Sequence, residues 1–292
     1  MSDIGKKATS VDRQIELLES RRMVITNKEK AKENLLDIGY YRLGFYWYPF
    51  EEDHLNHIFF PDTQFDYAIK LYYFDYDLRN ILLRYISRIE VNFRTNMVYY
   101  ISNTYKENPF WYIDPSVVSQ QTIESRAYQN ALEDVKKEPI IKRDMLKYGR
   151  EYAPAWKTLE FMPLGTIIKI YENLTNTNLK CRISNIYGIG SPNKFANYIN
   201  TVRTLRNNCA HGKVLYDLKL PQAITASVLG DLGNNKNTFY GAYCVFRYML
   251  ERVSRNRVTE MKADVLKAFE RVPYQTLKDI IVNKTGLSES DI

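Results

Sequence analysis

Residues from about 65 to 105 contain neither glycine nor proline, and Phe65, Ile69, Tyr72, Tyr73, Tyr76, Leu82, Leu83, Ile86, Ile89, Val91 and Phe93 recur through them at helical spacing. A segment without a breaker and with a 3.6-residue apolar period has one stable solution, an amphipathic helix. At 1.5 Å per residue it spans about 60 Å. Either one long helix or two, broken near Asp75-Tyr76-Asp77, is expected. Glu90 and Arg94 stand four apart, so they can pair on one helix face or brace a site.

The rest of the chain punctuates itself into further helices. Val11, Ile15 and Leu18 mark a helix over about 10–22. Thr26-x-x-Glu29 has the form of a capping box that opens a second, which Gly39 should end. The run Tyr40 to Phe50 is aromatic, short and closed by Pro49; it reads as an irregular aromatic plug rather than a helix. Residues 51–63 are polar and loop-like, with His54 and His57 as two solvated histidines and no third metal ligand nearby. Helices are expected over about 116–136, 139–148, 154–173 with an interruption at Pro163-Leu164-Gly165, and 177–187. Ser191-Pro192 should open another, as N-cap and first helical residue. It would carry Phe195, Tyr198, Ile199, Val202 and Leu205 on its apolar face and end at Gly212. Residues 213–237 are irregular, followed by helices over about 238–255, 258–272 and 273–284. No useful period-two alternation appears. The chain reads as a single all-α domain over 1–292, with N-terminal helices and plug to about 60, a core over about 65–255 and C-terminal helices over about 258–292.

Composition excludes several classes. The balance of 45% hydrophobic and 26% charged residues is that of a soluble globular protein. Net charge is +7 without a dense Lys/Arg tract, which favours a polyanionic partner but not a basic coating tail. The 24 tyrosines and 13 phenylalanines exceed ordinary usage; most are core, and some tyrosines can serve as stacking platforms for bases. Cys181, Cys209 and Cys244 lack metal or disulfide spacing and read as reduced core thiols of a cytoplasmic protein. Met1 to Lys7 is not followed by an apolar run, so no leader is read, and no stretch is apolar enough for a membrane helix.

The chemistry concentrates in Arg206-Asn207-Asn208-Cys209-Ala210-His211, followed by Gly212. Histidine takes and gives protons near neutral pH. Arginine is a permanent fork-shaped cation that fits phosphate oxygens, and asparagine orients without adding charge. The bare Arg-to-His spacing is weak; the fuller string R-N-x-x-A-H is informative. On an ideal helix Arg206 and His211 lie about 140° apart. Arg203, Asn207 and His211 share a face instead, so the last turn must loosen for Arg206 and His211 to meet. Arg203 and Lys213 are candidate phosphate contacts. One histidine is too little for acid and base together, and a symmetric homodimer would bring two motifs to one cleft.

The motif is the signature of HEPN-superfamily ribonucleases, and the chain resembles the Abi-like (AbiD/AbiF) abortive-infection phage-resistance proteins. Beyond R-N-x-x-A-H, the likeness rests on Ile38-Gly39-Tyr40-Tyr41-Arg42-Leu43-Gly44-Phe45-Tyr46-Trp47, on Leu71 to Arg79 (LYYFDYDLR), on Ile89 to Arg94, and on Trp156-x-x-x-Glu160 with Leu164-Gly165. It implies a HEPN-like helical bundle with additional N- and C-terminal helices. It also implies a metal-independent RNA endonuclease that needs no cofactor and acts as a toxin in anti-phage defence. His211 would be general base or acid, Arg206 would stabilise the phosphorane and Asn207 would orient. RNA would be the substrate, and a small structured RNA would be the guard.

Two other readings stay open. A binding module would hold RNA or a partner without cutting. A regulatory or structural dimer would use the motif to tie helices together. A DNA nuclease fits poorly, because the inferred chemistry needs the ribose 2′-OH and no carboxylate cluster for two metals is present.

Overall fold

The computed structural model describes residues 7–287; residues 1–6, where no leader was read, and 288–292 lie outside them. Among the described residues there are fourteen α-helices and one two-stranded sheet, so the fold is all-α. In chain order these are α1 (Val11–Ser20), α2 (Lys28–Asp37), α3 (Tyr40–Trp47), β1 (Glu51–Asp53), β2 (Ile58–Phe59), α4 (Phe65–Thr104), α5 (Gln120–Ile123), α6 (Arg126–Lys136), α7 (Pro139–Tyr148) and α8 (Ala155–Phe161). There follow α9 (Leu164–Glu172), α10 (Thr177–Ile186), α11 (Pro192–Ala210), α12 (Phe239–Val253), α13 (Arg255–Glu270) and α14 (Gln275–Thr285). No helix among the described residues is long and apolar enough to cross a membrane.

These elements gather into two compact units. The first comprises the chain up to Asn80, Val214–Tyr216 and the stretch from Ala263; the second comprises Ile81–Lys213 and Asp217–Lys262. The first therefore collects the N- and C-terminal stretches, and the second takes most of the stretch expected as the core.

The long glycine-free segment is one helix, unbroken at Asp75. Asp75 is buried but satisfied. Its carboxylate accepts bonds from Arg79 one turn on, from Tyr46 Oη at 2.8 Å and from the Leu215 N–H at 3.0 Å. A polar residue whose lone pairs are filled gives the helix no reason to break. The aromatic run is likewise not an irregular plug. Tyr40–Trp47 is helical and Tyr48–Phe50 a 3₁₀ turn. Leu43, Tyr46 and Trp47, at i, i+3 and i+4, bury one face, and Gly39 at φ +94° separates this helix from α2. Aromatic bulk does not prevent a helix when the buried positions keep its period.

Other expectations shift by a residue or a turn. Asn27, not Thr26, caps α2, its Oδ1 accepting from Lys30 N at 2.9 Å. The helix expected over 116–136 divides into α5 and α6, because Ser125 is extended and restarts the chain. The stretch 51–63 holds the antiparallel hairpin of β1 and β2, too short to show alternation. His54 and His57 are not simply solvated. Both imidazole Nδ1 atoms face the buried Glu51 carboxylate, at 3.3 Å and 3.1 Å, and His54 stacks on Tyr48. Among the cysteines, Cys209 and Cys244 are buried while Cys181 is half-buried.

The core of the second unit is aromatic. Phe195 of α11 is fully buried and meets Phe93, Tyr171 and Tyr187 at ring-centroid distances of 5.7, 5.1 and 4.9 Å. Rings at such separations add to plain area burial. Truncating Phe195 to alanine would cost about 3–5 kcal/mol. Against this core α11 packs on α9, α10 and α12.

Candidate functional site

The site follows from how α11 divides its surface. Ser191 precedes it and Pro192 opens it, as the residue types require. Phe195, Tyr198, Ile199, Val202, Leu205 and Cys209 face the core. Helical geometry then turns Arg203 outward and leaves Arg206 and Asn207 half-buried.

Arg203, Arg206 and Asn207 line one wall of a cleft of about 450 Å³. The other walls are the start of α6, with Ser125 and Tyr128, and α9, with Gly165 and Thr166 in its first turn and Lys169 in its last. Neither helix start has a side-chain cap. Uncapped first-turn N–H groups carry the positive end of the helix dipole and suit an anion. With Lys169, Arg203 and Arg206 around it, the cleft is strongly cationic, as a phosphate site requires. Gly165 makes room for this: a Cβ there would lie 2.9 Å from the Arg203 guanidinium.

Arg206 is braced. Its Nε donates to Glu90 Oε1 at 3.1 Å, and its Nη1 lies 3.5 Å from Asn207 Oδ1, at the long limit of a hydrogen bond. Glu90 therefore does not pair with Arg94, as their spacing suggested. Arg94 Nη1 donates to the carbonyls of Leu159, at 2.7 Å, and Glu160. A cation belongs at that carbonyl end of α8. Between them, Asn92 Oδ1 accepts from Tyr187 Oη at 2.8 Å. The segment Ile89 to Arg94 is thus a row of polar braces reaching α11, the chain just after α10, and α8.

His211 sits elsewhere. It is the C-cap of α11, exposed, and its ring makes no hydrogen bond or ion pair among the described residues. Gly212 follows in the left-handed region at φ +64°. Gly212 N bonds to Cys209 O at 3.2 Å and Lys213 N to Asn208 O at 2.9 Å, the two bonds of a Schellman motif. Lys213 is exposed beyond the helix end. Of the five residues marked in the sequence, three meet at the cleft; His211 and Lys213 are not among its lining. Lys169 and the two helix starts escaped sequence reading, since only tertiary packing brings them to α11. The Pro163-Leu164-Gly165 break was their one visible trace. Among the described residues no group of three or more His, Cys, Asp or Glu is placed to hold a metal ion.

Comparison with known proteins bears on the same residues. No curated protein and no solved structure matches the chain. A family model described as Abi-like protein matches residues 33–217, which takes in α3, α4, the cleft and the R-N-x-x-A-H string. With well over half of its length matched, the chain belongs to the Abi-like protein family.

Proposed function

We propose that this chain is a metal-independent, HEPN-type RNA endonuclease that acts as a toxin in abortive infection, the phage-resistance response to which its family points. One observation carries the reading. A braced arginine, Arg206, faces a cationic cleft on the same helix that ends in an exposed histidine with an unengaged ring.

In this mechanism the ribose 2′-oxygen attacks its own 3′-phosphorus. A 2′-O–P bond forms and the P–O5′ bond breaks. The 2′-OH proton passes to a base and the 5′-oxygen takes one from an acid, leaving a 2′,3′-cyclic phosphate and a 5′-hydroxyl. Arg206 stabilises the charge that grows on the equatorial oxygens. Asn207 orients the guanidinium or the phosphate, and His211 serves as base or acid. Lys169, Arg203 and Lys213 hold flanking phosphates. Because His211 does not line its own chain's cleft, a homodimer that brings a second motif to the cleft would complete the chemistry. A small structured RNA is the proposed guard, and the cytoplasm the proposed place of action.

A second reading has its own observation. Three cations gather at the cleft while His211 stands apart, which also suits a module that binds RNA or a partner without cutting.

Labelled single-stranded and structured RNA, incubated in EDTA with wild type, Arg206→Ala and His211→Ala, separates the two. Cleavage that survives EDTA, leaves a cyclic phosphate and vanishes in both folded variants is the expected result. RNA bound tightly by all three proteins and cut by none would transfer the case to the binding module.

A further inference from the structure

A second cleft of about 450 Å³ lies toward the other end of the α9–α11 pair, with a different chemistry. Glu172 at the end of α9, Lys180 of α10, Asn193, Asn197 and Asn200 of α11, and Gln222 line it. Apart from the opposite charges of Lys180 and Glu172, its polar lining is amides and the hydroxyls of Tyr171 and Thr225. A phosphate would gain nothing there over the cationic cleft.

The walls are held in place by hydrogen bonds. Asn197 is buried and spans to the 223–225 segment, donating to Ala223 O at 3.0 Å and accepting from Thr225 N at 2.9 Å. Asn200 Nδ2 donates to the Glu172 carboxylate at 2.8 Å and to Ala196 O at 2.9 Å, which fixes the carboxylate and leaves the Asn200 carbonyl oxygen open. Lys180 Nζ donates to the Glu172 backbone carbonyl at 2.9 Å and keeps further hydrogens for a ligand. Acceptors and a donor thus stand side by side on a fixed frame, with Pro192 and Ala196 as apolar floor.

The two clefts are also in line. Ala196, Asn200, Arg203 and Asn207 fall within about 60° of one another around α11. Asn200 and Asn207 are about 10 Å apart along the axis, a span that one or two extended nucleotides bridge.

Resting on the ribonuclease reading, we propose that the amide-lined cleft is a nucleobase subsite that reads guanine one or two nucleotides from the phosphate at Arg206. Guanine's Watson–Crick edge offers two adjacent N–H donors beside a carbonyl acceptor. The Glu172 carboxylate takes the donors, and the Gln222 amide serves the acceptor. No other base presents that edge.

The experiment uses the full chain and labelled uridine strands carrying one guanine, adenine or cytosine stepped along the sequence, with the all-uridine strand as reference. Binding is followed by fluorescence anisotropy and cleavage on gels. A guanine at one fixed offset from the cut should raise kcat/KM by at least about tenfold. Glu172→Gln, which keeps the size of the side chain and can still accept from Asn200, should bring that ratio near one. So should Gln222→Ala, whose residue is exposed and whose loss does not threaten the fold. RNA cut without an offset preference, a preference for another base, or a guanine preference unchanged in both variants overturns the subsite alone. If no strand is bound or cut, the ribonuclease reading fails and the subsite with it.

Discussion

Arg206 and Glu90, 116 residues apart in the chain, meet with Nε of the one 3.1 Å from Oε1 of the other. The bond uses the Nε hydrogen alone. It leaves the Nη hydrogens for the cleft and limits how far the plane can rotate. A pair of which the arginine is 42% exposed contributes less than about 1 kcal/mol to stability. Its value is in direction. Glu90→Ala is expected to lower kcat for RNA cleavage about ten- to hundredfold, with little change in thermal midpoint. Glu90→Gln, which still accepts from Nε, should recover most of the rate. A merely structural brace would show a lowered midpoint and no such recovery.

Gly165 gives a separate handle on the cleft. Alanine there places a methyl group against the Arg203 guanidinium, the movable end of a flexible side chain. The fold should tolerate it, because alanine is the better helix former by up to about 1 kcal/mol. Arg203 would be pushed from its place, and RNA affinity should fall several-fold while the urea midpoint holds or rises. Anisotropy titration beside urea unfolding checks both halves.

The Tyr46–Asp75–Arg79 cluster predicts a loss of the opposite kind. Tyr46 Oη is 2.8 Å from Asp75 Oδ2 and 3.2 Å from Arg79 Nη1, all of it buried. Burial first, then the neighbouring Asp75 carboxylate, drives the phenol pKa upward, so it stays protonated and donates. Tyr46→Phe removes one hydroxyl and should cost about 1–3 kcal/mol. Asp75→Ala takes the buried carboxylate from Arg79, from Tyr46 and from the Leu215 N–H, and should cost about 3–5 kcal/mol. Urea unfolding measures each. The LYYFDYDLR segment thus supplies stability here.

Asp144 predicts an acid limb. Its side chain is 2% exposed, and Arg150 and Lys157 both donate to it. Burial raises its pKa, but the bonds and charges of Lys157 and Arg150 outweigh that and leave it below the ordinary 3.8. A depressed carboxylate stabilises the fold fully above its unfolded value, and the contribution fades as pH falls through the lower folded value. Stability should therefore drop below about pH 4, and Asp144→Asn should flatten that limb while lowering the plateau near neutrality. Unfolding midpoints from pH 2 to 7 test both.

Local rules read local facts well. The absence of breakers in 65–105 gave α4, Pro163-Leu164-Gly165 divided α8 from α9, and Ser191-Pro192 opened α11. The same rules missed α3, whose aromatic content hid its period, and placed the α2 cap one residue early. At the site, helical spacing put Arg203 with Asn207 and set Arg206 well around the helix from His211. Lys169 and the start of α6 carry no local mark of their role, and the start of α9 shows only as the Pro163-Leu164-Gly165 break. Glu90 had two partners within reach of its chemistry, and the i, i+4 rule could see only Arg94. What decides for Arg206 is tertiary.

The way α11 ends has a dynamic consequence. Two backbone bonds close over His211, from Gly212 N and Lys213 N, so the main chain at this residue does not fray as bare helix ends do. The imidazole hangs from a fixed pivot and explores space through two torsions alone. Arresting them on a bound strand costs less than about 2 kcal/mol of side-chain entropy. The ring can be idle in the resting protein and still be recruited cheaply.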